Sequence, residues 1–238
     1  MKNISTGPHS PGSSFGLSSR RAFLQGLGIT GMAALCRPGW SSILPEAIRQ
    51  AANRAGKKIT FLNDGGFRSS AWGWQFTSHA AVEETPGKTG THSVGIHTGS
   101  GDYARFLVLE PEVGKTYTLS GWMRTKNIVA EESGAGAYFA ASQFEFQGRP
   151  TQYSVDGKQI PEERYDNLTG STDWQRFSHS FLCLPTTDWF EIVVGVYRAS
   201  GSAWFSDLTF VDGDQPAHFH DVVEYWQAAQ WAHADGLR

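Results

Sequence analysis

Between Lys58 and Val211 the sequence breaks into short runs that alternate with a two-residue period, separated by loops rich in Gly, Ser, Thr and Pro. The runs lie near Lys58–Leu62, Trp74–Ser78, Ala81–Thr85, Ser93–His97, Ala104–Leu109, Thr116–Lys126, Ala135–Phe146, Trp174–Leu184, Phe190–Arg198 and Ala203–Val211. No helical period appears among them. Many short strands without intervening helices predict an all-β fold, an antiparallel sandwich. The longest gap, Gln147–Thr172, holds Pro150, Gly157, Pro161 and Gly170 and reads as a surface loop with a small hairpin at Asp156-Gly157.

The ends read differently. Residues 1–40 contain Arg20-Arg21 followed by a Gly-interrupted apolar stretch to Cys36, and no acid occurs before Glu46. This is the layout of a twin-arginine export signal, which predicts a periplasmic or secreted protein. Leu35 before Cys36 argues against lipidation of that cysteine. The apolar stretch is shorter than the ~20 residues of a spanning helix, so no permanent membrane span is expected. Without Cys36 only Cys183 remains, so no internal disulfide is expected and Cys183 reads as a buried strand residue. Residues 41–57 form a linker with helical spacing at Ile43, Leu44, Ala47, Ile48 and Ala51. Residues 58–212 are the sandwich. Residues 213–238 are a tail in which Asp221 caps a helix bearing Val222, Tyr225, Trp226 and Ala229 on one face. That helix either packs back on the sandwich or docks a protein partner or a second copy.

Net charge is −3, and no basic run occurs outside the leader, which argues against a nucleic-acid partner. Only 18% of residues are charged, while the chain has 27 Gly, 15 Phe and 9 Trp, suiting a sandwich with long loops and aromatic surfaces.

Alternation sorts side chains by face. In Thr116–Lys126, Tyr117, Leu119 and Met123 oppose Thr118, Ser120, Trp122 and Arg124. In Ala135–Phe146, Tyr138, Phe144 and Phe146 oppose Phe139, Gln143 and Glu145. In Phe190–Arg198, the apolar row Phe190, Ile192, Val194 and Val196 is core, and Glu191, Val193, Gly195 and Tyr197 oppose it. Placed side by side, the polar rows predict one face carrying Trp122, Arg124, Gln143, Glu145, Glu191 and Tyr197. Sugars suit such a face: a pyranose C–H face stacks on an aromatic ring, and its hydroxyls pair with planar multi-point groups. A solvent-facing sheet surface is the plainer reading. Loop aromatics Trp72, Trp74, Tyr103, Tyr153 and Tyr165 form a second candidate set, with Trp72 and Trp74 read mainly as packing residues.

An ordered series of phrases runs through this region: Leu62-Asn63-Asp64-Gly65-Gly66-Phe67, Trp72-Gly73-Trp74, Gly90-Thr91-His92-Ser93-Val94, Pro111 to Ser120, Thr172-Asp173-Trp174-Gln175-Arg176-Phe177, and Ala203 to Leu208. Their order and spacing, over about two-thirds of the chain, resemble carbohydrate-binding modules of the family 4, 9 and 22 group. The resemblance implies a galactose-binding-like β-jelly roll that holds a polysaccharide or oligosaccharide without cutting it. It also implies a structural calcium, with Asn63, Asp64 and Asp207 on the matching ground, although Arg68 stands where those modules carry a Glu. His218-x-His220 has zinc-like spacing, but Asp221 and His233 are only loosely placed as further ligands.

Two rival classes stay open. A jelly-roll glycosidase would need two carboxylates at roughly 5–9 Å, for which Glu145 and Glu191 are the candidates; a jelly-roll glycosidase or lyase usually shows several acids or an Arg/His/Tyr set on adjacent strands, and neither that set nor a nucleophile elbow or phosphate loop is seen. A cell-envelope protein-interaction domain would use the C-terminal helix.

Overall fold

The computed structural model describes residues 46–68, 71–84, 88–90, 92–97, 101–145, 149–150 and 164–235. The export signal with Cys36, Ile43 and Leu44, the Asp156-Gly157 hairpin and Tyr153 lie outside these residues.

The chain forms the all-β sandwich that its alternation predicts. In chain order the strands are β1 Lys58–Thr60, β2 Gln75–Phe76, β3 Ala80–Glu83, β4 Ser93–His97, β5 Asp102–Leu109, β6 Thr116–Ala130 and β7 Gly136–Glu145. They continue with β8 Arg149–Pro150, β9 Arg164–Leu168, β10 Gly170–Leu182, β11 Trp189–Tyr197, β12 Ala199–Asp212 and β13 Val222–Glu224. Helix α1 (Glu46–Arg54) precedes them and α2 (Tyr225–Ala234) follows. One seven-stranded sheet has the order β10-β6-β12-β1-β13, with β4 also on β12 and β3 beyond it. The other has six strands in the order β2-β5-β11-β7-β8, with β9 also on β7. Every pairing is antiparallel except β1 with β13.

The inward rows meet as a layer of aromatic rings. Phe190 of the six-stranded sheet lies 5.6 Å from Tyr117, 5.3 Å from Phe210 and 6.5 Å from Phe181, all on the facing sheet. Phe139 stacks on Phe177 across the same gap at 3.8 Å. Offset and edge contacts of this kind stabilise beyond the area they bury.

Burial also fixes protons. It pushes the Tyr117 phenol up to about 12, against the opposing pull of the Glu112 N–H that it accepts. It pushes the Cys183 thiol up to about 11. Both groups hold a proton more tightly folded than unfolded, so their contribution is complete below about pH 9 and is lost as pH rises through about 11 and 12. Stability is expected to fall by about 2–3 kcal/mol per group over that window. In urea midpoints measured against pH, Cys183→Ala should flatten the lower part of the decline and Tyr117→Phe the upper part. Parallel declines in all three proteins would refute the assignment. Cys183 is buried and free of any disulfide.

The described part of the segment expected as a linker, residues 46–57, is integral. Ile48, Ala51 and Ala52 of α1 pack with Ile59, Val223, Ala228 and Ala232 as a second small core. Gly56, at φ 65°, ends α1, and Arg49 ties the helix to Asp212 at 2.7 Å. The tail is corrected in detail. Asp221 sits in a 3-10 turn and Glu224 holds the N-cap position of α2. Val222 belongs to β13 rather than to the helix. The buried stripe of α2 is Ala228 and Ala232, while Trp226 is exposed. α2 therefore packs back, on α1 and β13.

Candidate functional site

The six-stranded sheet presents an outer face whose rows can be read from the register. Trp189 stands between Leu109 and Phe144, Glu191 between Leu107 and Ser142, Val193 between Arg105 and Ala140, and Gly195 between Tyr103 and Tyr138. Gln75 extends the Arg105 row onto β2, and Tyr197 closes the far end of β11.

Arg105 is the fixed point of this face. Its Nε donates to Gln75 Oε1 at 2.8 Å, its Nη1 donates to Glu191 Oε2 at 3.3 Å, and its guanidinium lies 5.9 Å from the Tyr103 ring centre. The guanidinium has five N–H donors, of which these two bonds engage two. Rings flank it on both sides. Tyr138 and Tyr197 meet edge-on at 6.5 Å, and Arg198, held by both oxygens of Glu132, lies 5.6 Å from the Tyr197 ring centre. Phe144 and Trp189 stack at 5.6 Å with planes 8° apart. Gly195 makes room for this arrangement: a Cβ there would come within 2.9 Å of the Tyr138 ring and 3.0 Å of Tyr103 Cβ.

Of the six residues that the sequence placed on one face, the structure brings together Glu191 and Tyr197. Gln143 is turned inward, where its amide donates to Leu182 O and accepts from Leu184 N and Thr187 Oγ1. Alternation puts Glu145 on the Gln143 side, so Glu145 and Glu191 do not form a carboxylate pair on one face. Trp122 and Arg124 lie on β6, in the other sheet. The assumption that fails is strand neighbourhood: β7 and β11 are adjacent, whereas β6 pairs with β10 and β12.

Gln75, Tyr103, Arg105, Tyr138, Ser142, Phe144 and Trp189 were not placed on this face from sequence. For Tyr138 part of the signal was available, because its nearest neighbours on the opposing row, Ala137, Phe139 and Ala141, are non-polar, but Gln143 and Glu145 on the same row masked it for Phe144. Of the loop aromatics, Tyr103 belongs to β5, and Trp74 is core, packed at tilted angles between Phe67 and Phe106 with its indole N–H on Asn63 O. Trp72 is exposed.

Of the candidate calcium residues, the two carboxylates are each engaged in a turn. Asp64 is buried at φ 45°, and its two carboxylate oxygens accept the Arg68 and Ala71 N–H groups. Asp207 is buried at φ 54°, and its Oδ2 accepts the Thr89 N–H and the Ser206 hydroxyl. Each carboxylate caps a different turn, and no set of three or more His, Cys, Asp or Glu is arranged for a metal among the described residues. His218 and His220 stack on each other at 6.2 Å, and among the described residues they gain no third His, Cys, Asp or Glu as a metal ligand.

No protein-family model matches this chain, and no curated protein matches it. Solved structures similar to it include the enzymatically active domain of tailspike protein 4 of bacteriophage CBA120 (TM-score 0.47, 16% identity), covering 65% of this chain but 22% of that one. The CBM22-1 xylan-binding domain from Paenibacillus barcinonensis is similar over 68% of this chain and 96% of its own (TM-score 0.43, 11% identity). A family 16 carbohydrate-binding module is similar over 63% and 99% (TM-score 0.45, 13% identity). These are resemblances of chain path, and the ligands named with those proteins are their own.

Proposed function

We propose that this chain is an exported, non-catalytic polysaccharide-binding protein, and that the outer face of the six-stranded sheet holds the sugar. The observation that carries the reading is Arg105, fixed between Gln75 and Glu191 in the middle of a face lined by Tyr103, Tyr138 and Tyr197. Rings supply stacking surface for pyranose C–H faces, and a guanidinium with spare donors supplies directional bonds to hydroxyls. Because Gln75 and Glu191 already hold the guanidinium, little conformational freedom is lost on binding. From Tyr197 to Trp189 the face runs about 27 Å along β11, a length suited to an oligosaccharide rather than to one sugar.

A glycan array probed with the full chain should show binding to polysaccharide. Tyr197→Ala or Glu191→Gln should weaken that binding at least ~10-fold, about 1.4 kcal/mol each. The absence of any glycan ligand would overturn the reading. Binding that both variants leave unchanged would remove it from this face.

A further inference from the structure

The outer face of the seven-stranded sheet carries two tryptophans and a group of cations that serve no part of the site described above. β6 presents Trp122, Arg124 and Lys126 in one row. Trp122 pairs with Arg176 of β10 on one side and Ser206 of β12 on the other, and Arg124 pairs with Trp204. The 88–90 segment is pinned over this row: the Lys88 N–H donates to Ser206 Oγ at 3.0 Å and the Thr89 N–H to Asp207 Oδ2 at 3.0 Å. That anchoring sets Lys88 Nζ 5.1 Å from the Trp122 ring centre, while the Arg124 guanidinium lies 5.0 Å from the Trp204 ring centre.

What sets this face apart is that cations without a carboxylate partner stand together on it. Arg49, Arg54, Arg105, Lys115 and Arg198 each lie within ion-pair distance of a carboxylate. Among the described residues Lys88, Arg124, Lys126 and Arg176 make no such pair; Lys57, Lys58 and Arg68 make none either, but Lys57 donates to the His220 carbonyl and Arg68 lies over the Phe219 ring. The nearby carboxylates are committed elsewhere. Glu83 accepts the Trp204 indole N–H at 2.9 Å and contacts His97, Asp207 is buried in β12 with its Oδ2 accepting the Thr89 N–H, and Asp173 accepts the Trp174 N–H. The whole chain has net charge −3, so four unpaired cations within about 13 Å along β6 are local patterning rather than general basicity.

We infer that this face is a second binding site, and that it takes an acidic polysaccharide bearing carboxylate or sulfate groups. Arg124 and Arg176 supply planar donors that match such groups, Lys88 and Lys126 add point charges, and half-buried Trp122 adds an aromatic surface between them. The choice of a glycan as the carrier of the negative charge rests on the function proposed above; the cation cluster does not.

The test is affinity electrophoresis of the full chain in gels containing polygalacturonate, dextran sulfate or neutral xylan, with duplex DNA titrated in parallel. Retardation is expected with polygalacturonate or dextran sulfate, weakening several-fold between roughly 50 and roughly 200 mM NaCl. Retardation by polygalacturonate alone names the carboxylate as the recognised group, and by dextran sulfate alone the sulfate. Arg124→Gln with Arg176→Gln should reduce it at least ~10-fold, and Lys88→Gln with Lys126→Gln, which leaves both tryptophans and both arginines in place, should reduce it as well. Tyr197→Ala should leave it unchanged while reducing retention on any neutral glycan that binds, so each face fails or stands by itself. No retardation by either acidic polymer, retardation indifferent to both cation pairs, or equally tight binding of DNA would overturn the inference.

Discussion

Phe190→Ala is expected to destabilise the protein by about 4 kcal/mol, a fall in melting temperature of roughly 8–16 °C for a domain of this size. The side chain is wholly buried and is the one ring of β11 that touches three rings of the facing sheet. Truncation removes its own transfer free energy and leaves a cavity walled by Tyr117, Phe181 and Phe210. Those rings sit on β6, β10 and β12, three strands hydrogen-bonded side by side, so they have little freedom to collapse into the gap. With a total stability of 5–15 kcal/mol typical of domains, this is a large fraction. Urea unfolding checks it, and Phe190→Leu, which keeps most of the volume, should recover more than half of the loss. A cost near that of a surface substitution would mean that the two sheets are not held together at this layer.

The strands were legible because period-two alternation is a local property, and ten of them fall where the alternation placed them. What alternation cannot convey is which strand lies beside which. Trp122, Arg124 and Glu191 each stand on a non-core row, yet β6 and β11 belong to different sheets. Gln143 misled for another reason: polarity suggested solvent, but its amide satisfies Leu182, Leu184 and Thr187 at the end of the core. A buried side chain that completes backbone bonding looks the same in sequence as one that waits for a ligand. β8, β9 and β13 were missed because two to five residues carry too little pattern to read. Arg105 became visible only through its partners, since Gln75 and Glu191 are distant in sequence and converge through the β2-β5-β11 order.

The phrase Asn63-Asp64-Gly65-Gly66-Phe67 has a physical reading that needs no ligand. Leu208 donates its N–H to Gly65 O at 2.9 Å, and the two backbones are so close that a Cβ on Gly65 would stand 2.0 Å from Leu208 O. A Cβ on Gly66 would stand 2.5 Å from the Phe219 ring. The two glycines therefore differ in what blocks them. Backbone of β12, locked between neighbouring strands, cannot move aside, whereas an aromatic side chain can. Gly65→Ala is expected to cost at least ~3 kcal/mol, or to prevent folding, because it forces overpacking against a carbonyl. Gly66→Ala should cost less, and Phe219→Ala should rescue part of that cost, a coupling that a double-mutant cycle measures. Gly114 is the control: it has φ 79° and nothing within 4 Å of an added Cβ, so Gly114→Ala isolates the left-handed backbone penalty of about 1–2 kcal/mol. If Gly65→Ala matched Gly114→Ala in urea unfolding, the close approach of Gly65 to Leu208 would not be what requires this glycine. If Gly65→Ala instead exceeds it and resists rescue by Phe219→Ala, the phrase is a backbone clamp between the first strand and the last long one.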